Sequence, residues 1–140
     1  SEREKLLNLS SELNANVKFI DHVSYNTAKA IIQGSDIGLV SLLPNMYKYA
    51  YPSKTMAYLE QGIPIIAMVE EESELAIKMK KFGYGFVTPI NDSLVLSKLI
   101  YKLSENKSWE LKMKKASNQA FLKEFSNKII LEKWKNIILR

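Results

Sequence analysis

A chain of 140 residues is long enough for one domain with a single core, and 46% hydrophobic with 25% charged residues is ordinary for a globular protein. With no cysteine and one histidine, His22, the composition excludes a disulfide framework, a Cys nucleophile and most Cys- or His-built metal sites. The net charge of +5 sits at one end: residues 102–140 hold ten Lys or Arg against four Glu, while residues 1–101 are nearly balanced.

Residues 2–13 read as a helix with Leu6, Leu9 and Leu13 on one face, broken by NAN. VKFI, 17–20, reads as a short strand. Ser24 can cap the next helix, which carries Ala28, Ile31 and Ile32 and stops at Gly34. DIGLVSL, 36–42, is apolar nearly throughout, as expected of a strand covered on both faces. LPNMYKYAYP reads as a loop. A helix follows over 53–61, stopped by Gly62, and then a third strand over 64–69. Residues 71–82 place Leu75, Met79 and Phe82 at helical spacing and end at Gly83. GFVT, 85–88, is a fourth strand closed by Pro89, and Asp92 can cap a helix to about residue 104. Two more helices are expected near 108–125 and 128–139. Trp109, Met113, Ala116 and Ala120 line the first, and Ile130, Trp134, Ile137 and Ile138 the second.

Strands alternating with helices imply βαβ units and a parallel sheet covered on both faces, an α/β Rossmann-like fold. Such a sheet usually opens on a strand, whereas this chain opens on a helix. One or two strands before Ser1 are therefore expected, within a larger protein. The opening SEREKLLNLSSELN is charged and amphipathic, unlike a secretory leader, and the longest apolar run, 63–69, is too short to cross a bilayer. A cytoplasmic protein is expected. The basic C-terminal stretch reads as a solvated helix face, or as one facing anionic lipid at the inner face of the membrane. Nucleic acid is not expected as a partner, because Trp109, Phe121, Phe125 and Trp134 stand at core-like spacings rather than forming a stacking platform.

In open α/β sheets, ligands sit beyond the carboxyl ends of the strands. The loop after Leu42 carries the most chemistry. Ser53 can cap the following helix or offer a hydroxyl, Lys54 adds a cation, and Tyr47, Tyr49 and Tyr51 can pack on a flat ring. Together they suit a phosphate or diphosphate; a plain N-cap and a solvated Lys are the alternative. The acidic turn Glu70-Glu71-Glu72-Ser73 opposes phosphate unless its carboxylates accept hydrogen bonds, and as a helix-start cluster it needs no ligand. His22 follows a strand and is a possible cleft residue. No carboxylate pair or Ser-His-Asp set assembles, so no catalytic residue is named. No Asp-x-Asp pair indicates a metal, and no cofactor is implied.

The ordered set NVKFIDHVSYNTAKAIIQGSDIGLVSL, YPSKTMAYLEQGIPIIA, GYGFVTPINDSLVLSKLIYKL and EFSNKIILEKWKNIIL resembles the C-terminal, donor-binding half of bacterial GT-B glycosyltransferases, of the retaining "glycosyl transferases group 1" family. The resemblance covers nearly the whole chain; YPSK before a helix, then G-x-P and an apolar strand, is its most specific part. It implies half of a two-domain protein, whose other half binds the acceptor and carries most acid/base candidates. The substrate would be a nucleotide sugar, commonly UDP-linked, and the product a bacterial surface polysaccharide. Tyr51, Ser53, Lys54 and Thr55 would lie along the donor diphosphate and nucleoside, with Glu72 and Ser73 near the donor. The last helix would cross back to the N-terminal domain, and the half alone would be inactive. One departure is plain: Ala57 stands where the family often has a ribose-binding glutamate, so Glu60 or Glu72 would have to replace that contact. The rival readings are a non-catalytic Rossmann-like module for assembly or membrane docking and, less well supported, a sugar-nucleotide epimerase.

Overall fold

The computed structural model describes residues 1–139. Helix α1 (Glu2–Glu12) starts with a capping box between Ser1 and Glu4, and α2 (Tyr25–Gln33) is capped by Ser24, whose Oγ accepts from Thr27 N. Then come β1 (Gly38–Ser41), α3 (Lys54–Glu60), β2 (Ile65–Met68), α4 (Glu74–Phe82), β3 (Gly85–Thr88), α5 (Ser93–Glu105), α6 (Glu110–Glu124) and α7 (Asn127–Ile138). Short 3-10 turns occupy Met46–Lys48 and Lys107–Trp109. The first of these lies within the stretch expected to be loop.

The three strands form one parallel sheet in the order β1-β2-β3, with Gly38 opposite Ile65 and Ile65 opposite Gly85. Successive side chains point to opposite faces. Val40, Ile65 and Ala67 therefore point one way and join Leu59 of α3, Leu75, Ala76 and Met79 of α4 and Ala120 of α6 in the core. Ile66 points the other way, toward Ile100 and Leu103 of α5 and Trp109. Helices thus cover both faces, as in a Rossmann-like half domain. The second face is less fully covered, and Leu39 on β1 remains 44% exposed.

The strand expected over 17–20 does not form; the segment is unpaired, with Val17 and Ile20 exposed. A four-residue run becomes a strand only when a neighbour takes up its backbone groups. Among the described strands β1 pairs with β2 alone, so none is available to it. The other three strands form within the expected ranges. Among the described residues no helix is long and apolar enough to cross a membrane.

Candidate functional site

The carboxyl ends of β1 and β2 face a loop, residues 42–53, that folds over the turn before α4. Asn45 adopts a left-handed conformation (φ 65°), and its backbone N–H donates to Glu70 Oε1 at 2.6 Å. Tyr47 Oη donates to Glu72 Oε1 at 3.2 Å. Desolvation, then the charge and hydrogen bond of Glu72, raise the Tyr47 pKa above its ordinary value. Two carboxylates of the acidic turn are thus engaged in holding the loop down. Lys48 donates back to Asn45 Oδ1 at 2.9 Å and closes the turn.

Beneath the loop lies a cleft of about 220 Å³, lined among others by Leu42, Tyr47, Lys48, Tyr51, Ser73 and Glu74. A second, wider cleft of about 430 Å³ lies beyond the ends of β2 and β3, between Pro44, the Glu70–Glu72 turn and Asn91. The acidic turn stands between the two. Glu70 Oε2 is buried there without a hydrogen-bond partner.

Tyr51 anchors the first cleft. Its ring centroid is 5.8 Å from that of Phe125, and Lys78 Nζ lies 5.6 Å from the Tyr51 ring and 5.2 Å from the Phe125 ring. Lys78 is held by Glu74 at 2.8 Å and Glu124 at 3.1 Å, so a cation lies beneath the cleft floor with its charge already matched. Burial dominates the upward pKa shifts of the Tyr51 and Tyr84 hydroxyls, which face this cluster.

The residues expected at the site separate into groups. Tyr51 and Ser73 line the first cleft, and Glu72 lines the second. Ser73 is buried and its Oγ caps α4, accepting from Ala76 N at 3.2 Å, so its hydroxyl oxygen is already in use. Ser53 and Lys54 are exposed beside the first cleft in sequence but are not among its lining residues. Ser53 makes no side-chain cap, because its backbone is already helical (φ −59°, ψ −30°) where a capping residue is extended. Thr55 is fully buried, with an unpartnered Oγ1. Glu60 ends α3, about 9 Å along the helix from its start, and lines a small hollow against α2 together with Ala57. His22 is exposed and lines neither cleft. The Lys78 cluster was not anticipated. Its one readable sign was Glu74 four residues before Lys78 on a helix; Glu124, fifty residues further on, carried none.

Among curated proteins, the chain is similar to the probable glycosyltransferase WbjE of Pseudomonas aeruginosa, with 31% identity over 70 residues, half of this chain. The match spans only 18% of the length of that protein. No family model and no solved structure matches the chain. The match supports a glycosyltransferase relationship.

Proposed function

We propose that the chain is the donor-binding half of a GT-B glycosyltransferase, one that moves a sugar from a nucleotide, most plainly UDP, to an acceptor during synthesis of a bacterial surface polysaccharide. The observation that carries this is a cleft at the carboxyl ends of parallel strands, walled by Tyr47, Tyr51 and Lys48, in a chain related to a probable glycosyltransferase. Tyrosine rings suit a nucleoside and lysines suit a diphosphate. In this reading Lys54, on its flexible stem, reaches the diphosphate from the adjoining turn and stabilises the charge that develops as the diphosphate leaves. Ser53 donates to the same oxygens, and Thr55 does so only if its buried hydroxyl is exposed by movement of the loop. Glu72 takes the sugar or ribose hydroxyls by exchanging its bond from Tyr47. The acceptor and the groups that move protons would come from a partner domain, on the cytoplasmic side of the membrane.

Calorimetric titration with UDP and UDP sugars tests donor binding. Lys54→Ala, assayed in the protein with both domains, is expected to lower turnover about ten- to a hundredfold, the worth of one charge-assisted hydrogen bond, with an unchanged melting temperature. An undiminished rate would overturn the role given to Lys54. Ala57 favours a second reading, a non-catalytic assembly module: no carboxylate occupies that position, and Glu60 points into a different hollow. A chain that binds no nucleotide while its partner domain remains active would establish that reading.

A further inference from the structure

The tip of the loop over the first cleft is one tight turn. Asn45 stands before the 3-10 turn Met46–Lys48 with φ 65°, a left-handed backbone that asparagine tolerates better than most residues. In such a turn, residues three apart lie on the same side. Lys48 Nζ therefore reaches Asn45 Oδ1, at 2.9 Å. It also lies 5.7 Å from the centroid of the Tyr47 ring. The same asparagine donates its backbone N–H to Glu70 Oε1 at 2.6 Å, and Tyr47 Oη donates to Glu72. A chain of contacts thus runs from the acidic turn through Asn45 to the lysine: Glu70 fixes the backbone of Asn45, and the Asn45 side chain holds Lys48.

We infer that Lys48 is the residue that holds the diphosphate in the first cleft, and that Asn45 is its positioning residue. The inference rests on the donor-binding reading and adds to it the cation that binds the substrate before reaction; Lys54 keeps its part in that reading, at the stage when the diphosphate leaves. Three features select Lys48. It lines the cleft, which Lys54 does not. Its charge is unmatched: among the described residues Lys48 has no ion-pair partner, whereas Lys78 under the floor is held by Glu74 and Glu124. Glu74 lines the cleft as well, but its carboxylate is engaged by Lys78. Finally, an ammonium carries three N–H donors and Asn45 takes one, which leaves two for phosphate oxygens. Because the Asn45 partner is a neutral amide, it fixes the lysine without cancelling its charge. The acidic turn, which alone would repel a diphosphate, here supports the group that attracts one.

The test is calorimetric titration of the 140-residue chain with UDP and with uridine, which lacks the phosphates. Lys48→Gln is expected to weaken UDP about tenfold, the worth of one charge-assisted hydrogen bond, and to leave uridine within about twofold of the parent. Lys48→Arg keeps the charge and should recover most of the UDP affinity. Asn45→Gly keeps the left-handed backbone and the N–H to Glu70 and removes only the side chain; it should weaken UDP about threefold. Asn45→Asp keeps an acceptor at that position but matches the lysine charge. It should weaken UDP by a similar factor with a melting temperature no lower than the parent's, which a purely structural role for Asn45 would not give. Equal UDP affinity in Lys48→Gln and the parent would overturn the inference and leave the donor-binding reading standing. Equal losses for UDP and uridine would also overturn it, since the lysine would then serve only the shape of the loop. A parent chain that binds neither compound would remove the inference together with the reading beneath it.

Discussion

Gly85 shows how one missing side chain permits the sheet. A Cβ at this position would lie 1.9 Å from the carbonyl oxygen of Ile65 and 2.9 Å from Met79 Cε. Ile65 O belongs to the central strand, whose backbone cannot yield. Gly85→Ala is expected to cost about 3 kcal/mol or more, seen as a lowered urea midpoint. At Gly38 the Cβ would meet the Tyr58 ring at 2.6 Å; a half-buried ring can tilt, so alanine there should cost less. A glycine inside a strand is a readable sign of close approach, but the approaching atom is not. Ser53 makes the same point from the other side. Like Ser24, Ser73 and Asp92 it stands before a helix, yet those three make the capping bond and Ser53 does not. The residue type was visible in the chain; the backbone angle that makes it a cap was not.

Helix α4 and the loop over it form a local unit. Ser73 caps the helix, which begins at Glu74 rather than at the expected residue 71, and Gly83, at φ 71°, ends it where its residue type suggested. Glu70 and Glu72 then hold the loop through Asn45 and Tyr47. Because Ser73 is buried and its oxygen serves Ala76 N, Ser73→Ala should cost about 1 kcal/mol in thermal melts. If nucleotide binding is measurable, the same variant should weaken it only modestly, since that oxygen is already occupied. The end of the helix and the strand types were readable in this region because turn residues and periodicity act over a few positions. The pairing of the acidic turn with a loop twenty-five residues away was not readable, since it depends on β1 and β2 lying side by side.

The packing of α4 on α6 is tied by Lys78, Glu74 and Glu124. Burial alone would raise the Glu124 pKa, but the hydrogen bond and charge of Lys78 outweigh it, and the folded value falls below the ordinary 4.5. The stabilisation this carboxylate contributes is therefore complete above that ordinary value and is lost as pH falls through the folded one. For Lys78, burial lowers the pKa while Glu74 and Glu124 raise it more, so its contribution persists below the ordinary 10.5 and is lost only in stronger base. Lys78→Met should cost about 1–3 kcal/mol at neutral pH and flatten the acid limb of the stability profile, measured by urea unfolding from neutral pH down through the carboxylate range. An acid limb as steep in Lys78→Met as in the parent chain would show that other carboxylates govern it.

The α/β class, the strands over 38–41, 65–68 and 85–88 and the helices around them followed from periodicity, caps and breakers, all of which are short-range signals. Strand formation at 17–20 could not be judged that way, because a strand is a relation between two segments and this one has no partner among those described. The same holds for the site. Residue types named Tyr51, Glu72 and Ser73 as neighbours of strand ends, but which of them line a cleft, which are already bonded, and that a paired lysine lies under the floor depend on distances between segments far apart in the chain. Folding fixes those distances through packing and burial, which no local pattern encodes.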